Sequence, residues 1–545
     1  MRLAGSKLAL ASIFVGYALG QTPTVTQLEN IYSWTLPGLP NYGIARGSIF
    51  AIFGANLSSA TVPLQSAPLQ TILSGVTVNT TVNGTTTQAL LYYLSPTQIN
   101  AVLPSATPSG AGTISVSTTA GASVAFPIQV VDSAFGLLTW NYGAGQVKGY
   151  DASNNYAYMG FSASTNPGDV LELWGTGLGP VSGDATLVAV NEPIEVDIGG
   201  VKAQVNYSGR SGYTGLDQIN VVVPSGVSGC NVSVVVVNGS YASNFATLPV
   251  AVGSRTCSDA TNPISASLLN EVSQTGSLSI GVIDLNKITT PAILGIGGGT
   301  TDTGFAGFYK ITYDQLLGGA TASGSGAASI GSCVVNFYNA TSTSPPPSQF
   351  TFTYLNAGPD VNIVGPDGTI AMPLTIEDGF DIYVTPTADT TFIPSSGGTY
   401  TFNNGSGGPD VGAFTAQLQM AAPFAWSNMA ALATVTRSNG MTVTWTGGDP
   451  TSYVSITGLS YGGLAGSHSS FVVGEFTCEA PTAAGTFTVP PAVMLSLPPS
   501  ITVEGFSTSS LTVSNVTTPV TFTATGLDIG WVAASVENNI TVNYQ

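Results

Sequence analysis

The chain has 545 residues, a formal net charge of −18, and 10 Lys and Arg against 28 Asp and Glu. So few basic residues, nowhere gathered into a run, argue against a nucleic-acid partner and against anionic lipid surfaces, because phosphate contacts need clustered Lys and Arg. With 43% hydrophobic and only 7% charged residues, the composition excludes a disordered chain and fits about three to five domains of short strands and tight turns.

Taken from the N-terminus, Arg2 and Lys7 precede an uncharged apolar stretch from Leu8 to Leu19, and small residues Ala18 and Gly20 precede Gln21. This is the pattern of a secretory signal peptide over residues 1–20. The stretch is shorter than the roughly 20 residues of a spanning helix. After cleavage no integral membrane segment is expected, so release or cell-surface association follows.

An internal repeat comes next. Gly47 to Leu57 (GSIFAIFGANL) matches Gly168 to Leu178 (GDVLELWGTGL), and Gln98 to Ser105 (QINAVLPS) matches Gln218 to Ser225 (QINVVVPS). Gly75 to Val78 parallels Ile194 to Ile198, and Thr113 to Val116 parallels Val232 to Val235. Closing strands follow at Pro127 to Val131 and Leu248 to Val252. Strands of about five residues with turn residues every 8–12 positions suit a β-sandwich, so two modules are predicted at 24–132 and 133–257.

Within this unit Gly54 and Gly175 are expected to take a sharp turn at positive φ. Pro104 and Pro224 end strands because they cannot donate to a ladder. Gln98 and Asn100, with Gln218 and Asn220, are expected to cap loop backbone while Ile99 and Ile219 enter the core.

These blocks resemble Ig-like modules of the IPT/TIG type, and more closely the uncharacterised C-terminal domain family of secreted Acidobacteria proteins. The resemblance is carried by "GDVLELWGTGLGP" (168–180), "YTGLDQINVVVP" (213–224), "GCNVSVVVVNGSYASN" (229–244) and, in the first copy, "YLSPTQINAVLP" (93–104). It implies a fold and an exported location, and no activity. In that family a Cys follows the strand-ending Pro and a second lies just past the module, positions that Cys230 and Cys257 fit.

Aromatics crowd the text between the two copies: Trp140, Tyr142, Tyr150, Tyr156, Tyr158 and Phe161, with Asn154 and Asn155 among them. They read either as packing for inter-module hairpins or as a platform that stacks sugar rings, with the amides bonding hydroxyls.

The second half carries no repeat. Residues 292–332 are mostly Gly, Ala, Ser and Thr and read partly as loop. Strand candidates then run from Cys333 to Tyr338, Phe350 to Tyr354, Val361 to Val364, Asp381 to Val384, Thr399 to Phe402 and Phe414 to Leu418, with a hairpin turn at 365–368. Met441 to Trp445, Tyr453 to Ile456, Phe471 to Cys478 and Gly485 to Pro490 continue the pattern. A β-rich domain at 258–420 and a C-terminal β-sandwich at 421–545 are expected, so the fold class is all-β: tandem Ig-like sandwiches and one or two more. The four cysteines allow three pairings, and chain order favours Cys230 with Cys257 and Cys333 with Cys478.

Residues of common catalytic machinery are scarce. The one histidine, His468, stands in a polar loop without a nucleophile elbow. Glu377, Asp378 and Asp381, or Glu195 and Asp197, are formal carboxylate pairs. Calcium from Asp360, Asp367 and the 377–381 trio is a minor reading. No cofactor, metal site or catalytic residue is expected. The expectation is an exported structural or adhesive protein with a cell-surface protein or polysaccharide as partner, or alternatively an extracellular carbohydrate-binding protein.

Overall fold

The computed structural model describes residues 21–184, 188–190, 193–239, 241–291, 298–319, 328–339, 352–377, 380–386, 391–420, 423–463, 471–503 and 505–545. Residues 1–20, read above as a leader, and His468 lie outside them. The fold is all-β, with three short α-helices among the described residues.

The first module is a sandwich. One sheet runs Thr24–Asn30, Ile49–Ala55, Gln98–Val102, Leu90–Leu94, and its partner runs Ile44–Ala45, Phe126–Val131, Gly110–Thr118, Thr77–Val82, Thr85–Gln88. Leu28, Phe50, Ile52, Val78, Ile99, Ile114, Val116 and Val130 fill the space between. Strict alternation of buried and half-buried residues along Thr77–Val82 shows the period-two logic.

The second module repeats this order. Gly149–Asp151, Val170–Thr176, Asp217–Val222 and Gln204–Arg210 form one sheet, edged by Ala157–Tyr158. Ala144–Val147, Ala246–Val250, Gly229–Asn238 and Ile194–Ile198 form the other, around a core that includes Leu171, Leu173, Ile219 and Val234. In both modules a short early strand pairs parallel with the last one.

Two local expectations need correction. Gly54 and Gly175 sit inside their strands without positive φ; a Cβ on Gly54 would overlap the Thr24 carbonyl, and one on Gly175 would overlap the Phe135 ring. Glycine is needed for close approach of a neighbouring segment, and the turn itself falls on Gly177 at φ 99°. Likewise the Gln and Asn amides bond each other instead of loop backbone, Gln98 Nε2 to Asn100 Oδ1 and Gln218 Nε2 to Asn220 Oδ1, both at 2.8 Å.

The modules are joined by a buried ion pair. Arg210 is fully buried, pairs with the equally buried Asp217, donates to the Gly179 carbonyl of its own module at 3.3 Å, and donates across the junction to the Gly47 carbonyl at 2.9 Å. Asp217 also accepts from the Gly177 and Leu178 amides at 2.8 Å each. Thr176 Oγ1 accepts from the Ile49 amide of the first module at 2.8 Å and donates to the Gly215 carbonyl at 2.5 Å.

Beyond residue 258 one sheet dominates. It runs Cys333–Asn339, Phe471–Pro481, Tyr453–Gly463, Ser510–Val516, Ile529–Thr541, Ser277–Thr290, Gly299–Thr312, Phe380–Val384, Gly368–Glu377, Asp360–Gly365, Gly398–Asn403, Thr415–Met420. Pairing therefore crosses the border expected near 420: the 333–339 strand lies on 471–481, and 277–290 runs parallel to 529–541. The apolar core crosses the same border, with Phe522, Val532 and Ala534 packed among Phe308, Ile363 and Tyr400. Residues 299–312, read partly as loop, are a strand paired along its whole length with 277–290. Its Gly304 lies where a Cβ would press on Ile363 and Met372, so glycine marks packing there.

The second module packs into this body. Val235, Ala242 and Phe245 enter a core with Trp426, Trp445 and Phe476, while Phe161, Cys230 and Cys257 pack with Leu269 and Ile280. Disulfides join Cys230 to Cys257 and Cys333 to Cys478.

Two outcomes follow from these contacts. In the chain-entropy model, the Cys230–Cys257 bond, which closes a sequence separation of 27 residues, is worth roughly 3–4 kcal/mol; Cys230→Ser with Cys257→Ser should lower the denaturation midpoint accordingly, and an unchanged midpoint would refute that contribution. Arg210→Met strands the Asp217 charge in the interior and should cost about 3–5 kcal/mol, measured by denaturant titration, with small-angle scattering showing a looser junction.

Candidate functional site

Alternation sets the site. In Val170–Thr176 the residues Leu171 and Leu173 face the core, so Glu172 and Trp174 face outward. The sheet register places Tyr158 opposite Tyr150, Tyr150 opposite Glu172, Glu172 opposite Asn220, and Trp174 opposite Gln218. One outer face of the second module thus presents tyrosines, an indole, two amides and a carboxylate on adjacent strands about 4.8 Å apart.

The rings form a file. Trp140 to Tyr158 is 5.7 Å between centroids, Tyr158 to Tyr150 5.4 Å, Tyr150 to Trp174 6.3 Å and Trp174 to Tyr213 6.5 Å. The first three contacts are edge-to-face and the last is tilted, so the rings hold one another without being coplanar. Tyr213, Tyr158 and Tyr150 are 58%, 40% and 37% exposed. Lys148 Nζ lies 4.3 Å over the Trp140 ring. Burial, with Tyr150 beside it, pushes the Tyr158 hydroxyl up to about 12.

The file is supported from below. Asp151, next to Tyr150, is buried; it accepts from the Ser153 and Asn154 amides at 3.0 and 3.1 Å and pairs with Arg255 at 2.9 Å. Arg255 also pairs with Asp169. Burial, and then Asp169 alongside, raise Asp151 to about 6. The segment leading to Cys257 therefore clamps the strand that carries Tyr150.

The residues singled out in the sequence divide. Trp140, Tyr150 and Tyr158 belong to the file. Tyr142 stands apart, edge-on to Trp34 of the first module at 5.0 Å. Tyr156 is 59% exposed in a left-handed turn at φ 55° and makes no ring contact among the described residues. Phe161 is buried against Tyr313. Sequence reasoning missed Trp174 and Tyr213, although the LELW alternation at 171–174 carried the signal for Trp174.

In the first module the same face is closed. Register puts Glu29 opposite Ala51, which lies opposite Asn100, where the second module has Tyr150, Glu172 and Asn220. Trp34 packs on Phe53 at 5.7 Å, and Glu29 is 1% exposed with one carboxyl oxygen unpartnered. Burial raises Glu29 to about 8, against a smaller opposite pull from its bond with Gln27.

Other candidates do not assemble. Among the described residues no three His, Cys, Asp or Glu side chains could hold a metal ion, so Asp360, Asp367 and Asp381 do not form a calcium cluster there; Asp378 and the Glu377 side chain lie outside the description. Glu195 pairs with Lys202 on an exposed hairpin, and burial followed by Glu195 raises Asp197. A cavity of about 170 Å³ lined by Lys287, Ile393, Met420, Phe424 and Val536 is smaller than the ~300 Å³ usual for ligand pockets. No described helix is long and apolar enough to cross a membrane.

No family model matches the chain and no curated protein matches it. Among solved structures, it is similar to a Ca²⁺-stabilized adhesin with which an Antarctic bacterium binds ice, at 12% identity and TM-score 0.12, covering 96% of this chain and 99% of that one. It is similar to SGBP-B of the Bacteroides ovatus mixed-linkage glucan utilization locus, solved with a heptasaccharide, at 12% identity and TM-score 0.20, covering 50% and 67%. A titin Ig tandem gives 10% identity and TM-score 0.13, covering 43% and 100%. Likenesses this slight transfer neither ligand nor activity.

Glu29 makes a prediction. The folded chain holds this proton up to about pH 8, whereas the unfolded value is 4.5. Stability should therefore fall as pH rises through that window, by about 1.4 kcal/mol per pH unit at most. Glu29→Gln should flatten this slope in urea titrations run across pH; an unchanged slope would show that Glu29 is ionised in the fold.

Proposed function

We propose that this chain is an exported adhesive protein of Ig-like modules of the IPT/TIG type, acting by binding and not by catalysis. The observation that carries this reading is the rigid union of its parts. Arg210 locks the first module to the second, and shared apolar cores fuse the second to the remaining body. Such a body presents its outer sheet faces in fixed relation, as a load-bearing contact requires. The two disulfides support an oxidising compartment outside the cytosol, and the leader pattern at 1–20 supports the route.

A second reading, extracellular carbohydrate binding, is favoured by the aromatic file, where exposed Tyr rings alternate with groups able to bond hydroxyls. Beads coated with the full mature chain should adhere to films of insoluble polysaccharide or to bacterial cells under flow. Adhesion to none of these surfaces would defeat the adhesive reading. Adhesion to cells but to no polysaccharide film would defeat the second reading and leave the first.

A further inference from the structure

We propose that the open face of the second module binds an uncharged polysaccharide chain laid across the strands, with Glu172, Gln218 and Asn220 setting specificity; this rests on the carbohydrate reading above. The spacing comes first. Ring steps of 5.4, 6.3 and 6.5 Å from Tyr158 through Tyr150 and Trp174 to Tyr213 are comparable to one pyranose unit each. A glycan running across the strands meets a ring at successive sugars, and the exposed Tyr150, Tyr158 and Tyr213 supply apolar contact to C–H faces.

The polar groups come second. The bond between Gln218 Nε2 and Asn220 Oδ1 fixes both amides and leaves Gln218 Oε1 as acceptor and Asn220 Nδ2 as donor. Glu172 lies between Tyr150 and Asn220 in register and forms no ion pair among the described residues. An acceptor, a donor and a carboxylate in fixed places suit hydroxyls, which both give and accept.

Charge decides the class. Every basic group of the second module is engaged: Lys148 over Trp140, Lys202 with Glu195, Arg210 with Asp217, and Arg255 with Asp151 and Asp169. Glu172 stands between Tyr150 and Asn220 with no basic group opposite it in register, so a uronate, sulfate or phosphate laid on this face would meet repulsion. The first module has the same amide pair but Ala51 in place of Glu172, with Glu29 and Trp34 over the row. Of the two modules, only the second therefore presents this face open.

The test uses the full mature chain in affinity gel electrophoresis with hydroxyethylcellulose, a galactomannan and polygalacturonate. Retardation by at least one neutral polymer, insensitive to salt, and none by polygalacturonate is expected. Tyr150→Ala with Tyr158→Ala, Glu172→Gln and Gln218→Leu should each weaken binding about ten-fold or more, the worth of one well-made contact. Glu172→Gln is nearly isosteric and keeps the test open if a larger change unfolds the module, with circular dichroism as control. Retardation undiminished in folded face variants would overturn this site while sparing the carbohydrate reading. Retardation by polygalacturonate alone would overturn the ligand class, and retardation by no polymer would defeat both the site and the reading it rests on.

Discussion

Arg210 and Asp217 are the contact on which the arrangement of the first two modules depends. A guanidinium loses several kcal/mol on leaving water, and only well-placed acceptors recover it. Asp217 supplies one from its own module, while the Gly47 carbonyl comes from the other. The guanidinium occupies the space that any side chain at position 47 would need, so Gly47 is fixed by the ion pair as well. Pulling the modules apart removes the Gly47 acceptor from the guanidinium. The reach of the junction extends to the aromatic file, because the loop after Arg210 carries Tyr213 and rests on Ile49 and Val102 through Gly215. Tyr92 of the first module is raised by burial and by Tyr213 beside it, which places the end of the file at this border.

Much of the first half was legible because it is written twice. Matching glycines, amides and prolines at constant offset locate strands without reference to tertiary contacts. Trp174 was legible in principle, since it falls on the outward parity of an alternating strand, but it stands as a lone aromatic beside the denser run at 140–161. Arg210 was not legible: its partners are Asp217 in the next strand and a carbonyl 163 residues away, and no local pattern announces a buried cation. Gly54 and Gly175 show a related limit. A sequence tells that a side chain is absent; whether backbone conformation or a neighbour forbids it depends on what packs there.

The second half was harder for a topological reason. Individual strands such as 360–365 and 398–403 fall where alternation and turns put them. Their grouping does not follow chain order, because 277–290 waits for 529–541 before its free side is paired. Pairings this distant add loop-closure cost and slow folding. They also mean that neither half of the 258–545 body holds its sheet without the other. The Gly- and Thr-rich 299–312 strand reads as loop only while its partners are out of view.

The Cys333–Cys478 bond has a mechanical consequence. It ties residues 145 positions apart on neighbouring strands. When the chain is pulled from both sides, the segment between them is shielded from tension, and about 500 Å of extended contour never enters the extension. The bond is a load bypass: force passes from the 333 strand directly into the 478 strand, and the Tyr453–Gly463 strand in the covalently closed loop stays slack. The chain thereby has a fixed limit to how far it can yield under load.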